Sequence, residues 1–246
     1  ISTNPTIASY GNEGFLILKD GNTVTDQSPN SNNLTVGGGT LTKTEDCPSN
    51  VFATLNPLIQ KTDITLANGN NSCSWGSATT RNVMLSNLGM SSGKYYCEVK
   101  VSASSASPAN GNLGVINGSD NSSMGKYLNQ TNSVFQGAGY QMWDGSKNIN
   151  QTGSSYGATL AVGDILGMAI DMDNKALYFH KNGTYQDSGD PTSGSSKTGA
   201  VDFSSLTDNG FWFVLIGDAS SSNTLTLQTN FGNGYFGTTA VSSAGT

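Results

Sequence analysis

Residues 163–183 read GDILGMAIDMDNKALYFHKNG, and this stretch decides the fold. Residues 165–172 are almost continuously apolar, and a run of this length favours a strand covered on both faces over a helix. Residues 173–175 supply a turn into a second strand at 177–180. Asn182-Gly183 predicts another tight turn, because both residues tolerate the positive φ of a type I′ turn. The stretch therefore predicts a meander of antiparallel strands.

Alternating residues extend this pattern on both sides. In residues 95–101 every second side chain, beginning with Tyr95, is predicted to face the core, while Glu98 faces outward. Residues 211–216 predict a further buried strand. In residues 224–231 apolar and polar side chains alternate, so the last strand is expected to expose one face to solvent. We expect these strands to enclose one interior, marked by Val99, Ile170, Phe213 and Leu227.

The first seventy residues contain short apolar pieces separated by Asn, Ser, Gly and Pro, which predicts short strands at 14–18, 34–36 and 51–55. Long polar stretches predict loops that carry specificity at 102–112, 117–132 and 186–198. No linker of uniform composition divides the chain. We therefore predict one domain over residues 1–246, with an N-terminal portion, 1–70, packed on a core at 93–236.

Composition excludes several classes of function. The chain has 246 residues, 31 of them Gly, only 11% charged residues and a net charge of -6. This glycine content and the scarcity of helix-forming residues favour an all-β protein. No cluster of Lys and Arg is present to neutralise phosphates, so nucleic acid is not an expected partner. The apolar runs are far shorter than the roughly 20 residues that a membrane helix needs, so no membrane insertion is expected.

The cysteines predict neither a disulfide framework nor a zinc site. Cys47, Cys73 and Cys97 are odd in number and widely spaced. Cys97 lies on the core side of its predicted strand, which indicates a small buried hydrophobic residue and not a reactive nucleophile.

Four segments, in order, resemble the SPRY family. Residues 93–99 resemble its entry strand, 113–116 its second strand, 163–183 its central strand pair and 230–236 its closing strand. The resemblance implies an all-β fold, a concanavalin-A-like (jelly-roll) β-sandwich of two antiparallel sheets. Fold alone assigns no function, so the candidate sites are considered separately.

The upstream sequence is similar to what precedes this domain in tail and other virion proteins of marine phages of the cyanophage and pelagiphage type. The similarity lies in residues 26–35, DQSPNSNNLT, and in residues 52–58, FATLNPL. It implies a structural protein on the surface of a phage particle.

No motif predicts catalysis. Residues 153–157 fit the Gly-x-Ser-x-Gly pattern of a hydrolase, but that pattern needs a strand-to-helix turn and a nearby histidine. The single histidine, His180, lies in a predicted strand, where it is expected to be structural or solvated. Sugar cleavage needs two carboxylates about 5 to 9 Å apart. The glutamates are few and distant in sequence, and nothing selects a partner for Glu98.

Asp171 and Asp173 are spaced like the first ligands of a calcium loop, but the required Gly and terminal Glu are missing. A hairpin turn is the preferred interpretation, and calcium binding stays open. No metal site or cofactor is predicted.

One segment has the composition of a sugar site. Trp143, Asp144, Asn148 and Tyr156 combine aromatic faces with polar groups, and Trp75 is a second aromatic candidate. An aromatic ring covers the apolar side of a sugar, while carboxylates and amides bond its hydroxyls. These five residues are the predicted ligand-binding residues, although a tryptophan beside a strand is often simply core.

These observations predict a non-enzymatic protein on the virion surface, a tail or capsid fibre or a decoration, assembled in the host cytoplasm. Its expected partners are other virion proteins, further copies of itself and a host-surface glycan. Two alternatives stay open: a peptide- or glycan-recognition module of a cellular surface protein, and a glycan-cleaving enzyme of the same fold.

Overall fold

The computed structural model describes residues 11–17, 24–39, 51–59, 63–77, 82–118 and 136–241. The strands, in chain order, are β1 Ile64–Ala67, β2 Ser72–Trp75, β3 Val83–Met90, β4 Lys94–Ser104, β5 Gly111–Asn117, β6 Gly137–Gln141, β7 Ser146–Ile149, β8 Thr152–Ser155, β9 Ile165–Asp171, β10 Ala176–Lys181, β11 Thr184–Tyr185, β12 Val201–Asp202, β13 Trp212–Asp218, β14 Leu225–Asn230, β15 Tyr235–Phe236 and β16 Thr239–Ala240. In these ranges the helical segments are three-residue 3-10 turns, at Pro57–Ile59, Gln186–Ser188 and Gly194–Ser196. None of them is long enough to cross a membrane.

Two large antiparallel sheets form a sandwich. The eight-stranded sheet has the order β1-β2-β14-β4-β9-β10-β11, with β12 also paired to β10. The six-stranded sheet has the order β3-β13-β5-β6-β7-β8, and β15 and β16 form a separate ribbon. The predicted all-β, two-sheet antiparallel sandwich is confirmed.

The inner faces of the two sheets share one hydrophobic core. Side chains alternate along each strand, so every second residue of β4, β9, β10, β13 and β14 enters this core. Val99, Ile170 and Leu227 are buried there, as predicted. Phe213 is not: Trp212 and Val214 take the inward positions on β13, which turns Phe213 to the outer face.

The stretch at 163–183 forms the predicted hairpins. β9 pairs with β10 in register, with Ile170 opposite Leu177. The first turn occupies residues 172–175. Asn182 and Gly183 have φ values of 49° and 84°, the positive values that the sequence predicted for the turn between β10 and β11.

The predicted strands before residue 56 are wrong for the described residues, where only an isolated bridge from Leu55 to Ser86 occurs. The side chain of Asp26 explains part of this difference. Its carboxylate accepts hydrogen bonds from the backbone N–H groups of Leu16 (2.8 Å), Ser28 (2.8 Å) and Asn32 (2.7 Å). These donors are therefore not used in a strand ladder. The hydrogen bonds also lower the pKa of Asp26 to about 2, against the opposing effect of burial.

Sequence reasoning missed β1, β2 and β3, which lie before residue 93 and belong to the two main sheets. The sandwich therefore already includes residues 64–90. The single domain over residues 1–246 stays a prediction, because parts of that range, including residues 40–50 and 119–135, lie outside the described residues.

Candidate functional site

An apolar pocket of about 350 Å³ lies at the end of the sandwich where β3 ends and β4 begins. Core residues of both sheets reach its interior, among them Met90, Cys97, Ile170 and Val214. The remaining lining residues are Val51, Phe52, Ala53, Ser86, Leu88, Gly89, Tyr95, Tyr96 and Phe231. This volume is within the range of about 300 to 1,000 Å³ typical of ligand pockets.

The mouth of the pocket carries exposed apolar side chains. Val51 is 68% exposed, Leu88 52%, Tyr95 44% and Tyr96 43%. Tyr95 was predicted to face the core, and it does lie on the core side of β4, but it stands at the end of the strand. An exposed apolar cluster beside a pocket is typical of an interaction site.

Hydrogen bonds to β3 fix the backbone beside the pocket. Residues 54–56 run along β3, where Asn56 N–H donates to the Leu85 carbonyl (2.8 Å) and Asn87 N–H donates to the Thr54 carbonyl (2.8 Å). On β3 itself, a Cβ added at Gly89 would lie 2.9 Å from the Phe213 ring. This position thus favours glycine, since a side chain would collide with Phe213.

A buried polar network adjoins the pocket on the outer face of the eight-stranded sheet. Tyr96 Oη donates to Glu98 Oε1 (2.7 Å) and also contacts His180 Nε2 (2.5 Å). Asn230 Nδ2 donates to Glu98 Oε2 (3.1 Å). Glu98 faces away from the core, as predicted, yet it is only 1% exposed and His180 only 2%.

The backbone of the next turn fixes the tautomer of His180. Gly183 N–H donates to His180 Nδ1 (3.0 Å), so Nδ1 is the unprotonated nitrogen of the neutral ring. His180 Nε2 then carries the hydrogen and donates to Tyr96 Oη, which in turn donates to Glu98. Burial lowers the pKa of His180. Burial and the contact with Glu98 raise the pKa of Tyr96 well above its usual range.

Gly167 makes room for this network. It lies between Glu98 of β4 and His180 of β10 in the same row of the sheet. A Cβ added there would lie 2.0 Å from His180 Nε2. The imidazole therefore occupies the space that any other residue at this position would fill.

Comparison with known proteins matches residues 94–214 to the family model of the SPRY domain. The chain contains a SPRY domain. Among solved structures, the human HERC1 SPRY domain is similar with a TM-score of 0.54 and 15% identity, covering 72% of this chain and 98% of that one. The stonustoxin structure is similar with a TM-score of 0.50 and 15% identity, covering 73% of this chain and 27% of that one. At this identity the structural likeness shows the fold alone. A search of curated protein sequences gives no match.

The pocket joins the matched SPRY segment to sequence outside it. Tyr95, Cys97 and Val214 lie within the match, whereas residues 51–53 and Phe231 lie outside it. Sequence reasoning missed this site because its walls come from distant parts of the chain.

The SPRY fold separates the five predicted ligand-binding residues. Trp75 and Tyr156 are 3% and 7% exposed and belong to the main core, and Asn148 is fully buried. Trp143 is half-buried and packs against a small apolar cluster on the outer face of the six-stranded sheet, while Asp144 is exposed. Their role in ligand binding stays a prediction, and only Trp143 and Asp144 offer accessible surface.

The outer face of the six-stranded sheet also buries amides without hydrogen-bond partners. Within the described part of the chain, both polar atoms of Asn112 and of Asn148 and the Nε2 atom of Gln141 have no hydrogen-bond partner. Asn112 and Gln141 are directly opposite each other on β5 and β6. Such groups are costly to bury, so their presence is unusual.

The other candidate groups have structural surroundings. Asp171 accepts from Lys94 and Asn174, and these contacts lower its pKa to about 2 against the effect of burial. No group of three His, Cys, Asp or Glu side chains in the described ranges is arranged to hold a metal. Cys73 and Cys97 are buried free thiols, and burial raises the pKa of Cys97 to about 12. Cys47 lies outside the described residues.

Proposed function

We propose that this SPRY domain is a non-enzymatic recognition module that binds a polypeptide partner at the apolar pocket. SPRY domains are typically protein–protein recognition modules. The observation that carries the proposal is the exposed apolar mouth of the pocket, formed by Val51, Leu88, Tyr95 and Tyr96. Large apolar and aromatic side chains that enter such pockets dominate the energetics of protein interfaces.

The chemistry of the pocket favours an apolar side chain of the partner. Among the described residues, Ser86 is the one polar lining residue apart from the two tyrosines, and none that lines the pocket is charged. A partner with a charge at this position would lose its hydration without gaining a counter-ion. We therefore expect an aromatic residue, Leu or Met at the anchoring position.

Selection of peptides from a displayed random library against the purified chain tests the proposal. We expect enriched peptides to share a large apolar residue, and Leu88→Asp to abolish their binding. Val162→Asp is the matched control, because Val162 is also exposed, at 55%, but lies near Val101, toward the opposite end of β4. Binding that survives Leu88→Asp, or that is lost equally in the control, would contradict the proposal.

We propose further that the recognition module is displayed on a phage particle, as part of a tail or capsid fibre or as a decoration. The support is the similarity of residues 26–35 and 52–58 to sequence preceding this domain in virion proteins. In the structure, Asp26 in the first of these segments anchors a compact turn. Mass spectrometry and immunogold labelling of purified particles provide the test. Absence of the chain from intact particles would contradict this location.

A further inference from the structure

Tyr96 belongs both to the pocket and to the buried polar network. It lines the pocket and is 43% exposed, yet its hydroxyl is held by two residues that are almost fully buried. Its ring also stacks on the His180 ring, with centroids 5.9 Å apart and planes 17° from parallel. Tyr96 therefore connects the buried network to a wall of the pocket.

The hydrogen-bonding capacity of His180 is fully used in its neutral form. Nδ1 accepts from Gly183 N–H and Nε2 donates to Tyr96 Oη. A second proton has to bind at Nδ1, where it would face the N–H of Gly183. Two donors then oppose each other, so protonation breaks this contact and displaces the ring.

Few titratable or charged groups face His180 in the described ranges. Tyr96 and Glu98 face it from β4, Tyr185 packs edge-on from β11 with ring centroids 5.4 Å apart, and Gly167 of β9 brings no side chain. On β10 itself, Tyr178 is hydrogen-bonded to Ser193. Lys181, the residue after His180, is paired with Asp164. Glu98 is thus the one carboxylate of the network, and it reaches His180 only through Tyr96.

We infer that Tyr96, Glu98 and His180 make the pocket sensitive to pH. Neutral His180 holds Tyr96 in the pocket wall, and protonated His180 releases it, so the polypeptide partner binds more weakly in acid. This inference rests on the proposed recognition function and adds its regulation. The lowered pKa of His180 places the transition below about pH 6.5, the ordinary value for histidine.

Two measurements test the polar network and the proposed peptide binding independently of each other. Because His180 is the single histidine, its ring signals in a ¹H–¹³C NMR spectrum report its protonation without assignment. Tyr96 signals, identified by their loss in Tyr96→Phe, should shift with the same midpoint. Tyr96 signals that do not shift at the midpoint of His180 would overturn the inference, regardless of whether a peptide binds the pocket.

Affinity is then measured with a library-selected peptide that contains no His, Asp or Glu. We expect wild-type affinity to fall at least about fivefold between about pH 7.5 and pH 5, the lower end of typical coupling between linked sites. The dependence should vanish in His180→Gln, which keeps a donor for Tyr96 but does not titrate. Should His180→Gln fail to fold, Tyr96→Phe serves instead, since it removes the hydroxyl that joins the two regions.

The outcomes are distinguishable. Co-titration of the two rings without any peptide bound at the pocket contradicts the proposed function but leaves the network intact. A peptide that binds at the pocket with the same affinity at both pH values supports the function and overturns the pH dependence.

Discussion

The outer faces of both large sheets bury polar side chains, but these side chains are hydrogen-bonded to one another on the eight-stranded sheet and lack partners on the six-stranded sheet. On the eight-stranded sheet, Tyr96 is hydrogen-bonded to both Glu98 and His180, and Asn230 donates a further hydrogen bond to Glu98. On the six-stranded sheet, five polar atoms of Asn112, Gln141 and Asn148 have no hydrogen-bond partner among the residues that the structure describes.

This difference shows that burial alone does not tell whether a polar residue stabilises the fold. A buried group that loses a partner costs about 1 to 3 kcal/mol, whereas a group that never had one is replaced at little cost. The paired network should therefore respond strongly to substitution, and the unpaired amides weakly or with the opposite sign. Four predictions test this contrast.

The largest effect is expected from Gly167→Ala, because the new Cβ would lie 2.0 Å from His180 Nε2 and displace the ring. We expect the free energy of unfolding to fall by about 3 kcal/mol, the upper range for overpacking. Urea denaturation measures it. Gly153→Ala is the control, since its Cβ would lie 3.4 Å from Asn148 Nδ2, a tolerable contact. Equal losses in both variants would contradict a specific role for Gly167.

The need for glycine at position 167 illustrates what sequence reasoning reached and what it missed. The alternation on β4 placed Glu98 outward and Cys97 inward, and the turn residues of 163–183 placed two hairpins. Both signals are local, because the two-residue period of a strand and the residue types of a tight turn can be read from a few neighbouring positions. The contact between Tyr96 and His180 joins residues 84 positions apart, which no local period reveals.

The same limit explains the missed pocket and the separated sugar-site residues. Trp143 and Tyr156 are close in sequence, but Tyr156 enters the core and Trp143 packs on the outer face of the six-stranded sheet. Conversely, Leu88, Tyr95 and Phe231 are distant in sequence and line one pocket. Proximity along the chain is a poor guide to a site in an antiparallel sandwich, because neighbouring strands are often distant in sequence.

The second prediction removes a partner from the paired network. Asn230→Ala takes a donor from Glu98 Oε2 and an acceptor from the N–H groups of Gly232 (2.9 Å) and Gly234 (3.2 Å). We expect a loss of about 2 kcal/mol in the free energy of unfolding. Thermal and urea denaturation measure it. A change below about 0.5 kcal/mol would show that the network does not stabilise the fold.

The third prediction changes an unpaired amide. Asn148→Leu removes two polar atoms that have no hydrogen-bond partner in the described ranges, and it keeps a side chain with the same number of heavy atoms. We expect a change between zero and about 1 kcal/mol of added stability, because an unsatisfied polar group is exchanged for an apolar one. The same denaturation assay compares it with Asn230→Ala. A large loss would mean that the Asn148 amide has a partner in solution.

The smallest effect is expected from pH, and it isolates one residue. Burial lowers the pKa of His180 in the folded state, so below about pH 6.5 the unfolded chain takes up a proton that the folded chain does not. Stability should therefore decline as the pH falls from about 6.5 toward the lowered value. Because His180 is the single histidine of the chain, its replacement shows whether the decline comes from this residue. Denaturation midpoints at closely spaced pH values should show this slope in the wild type and lose it in His180→Gln. A slope that persists unchanged in the variant would mean that His180 has the same pKa in the folded and the unfolded chain, which would contradict its burial in the network.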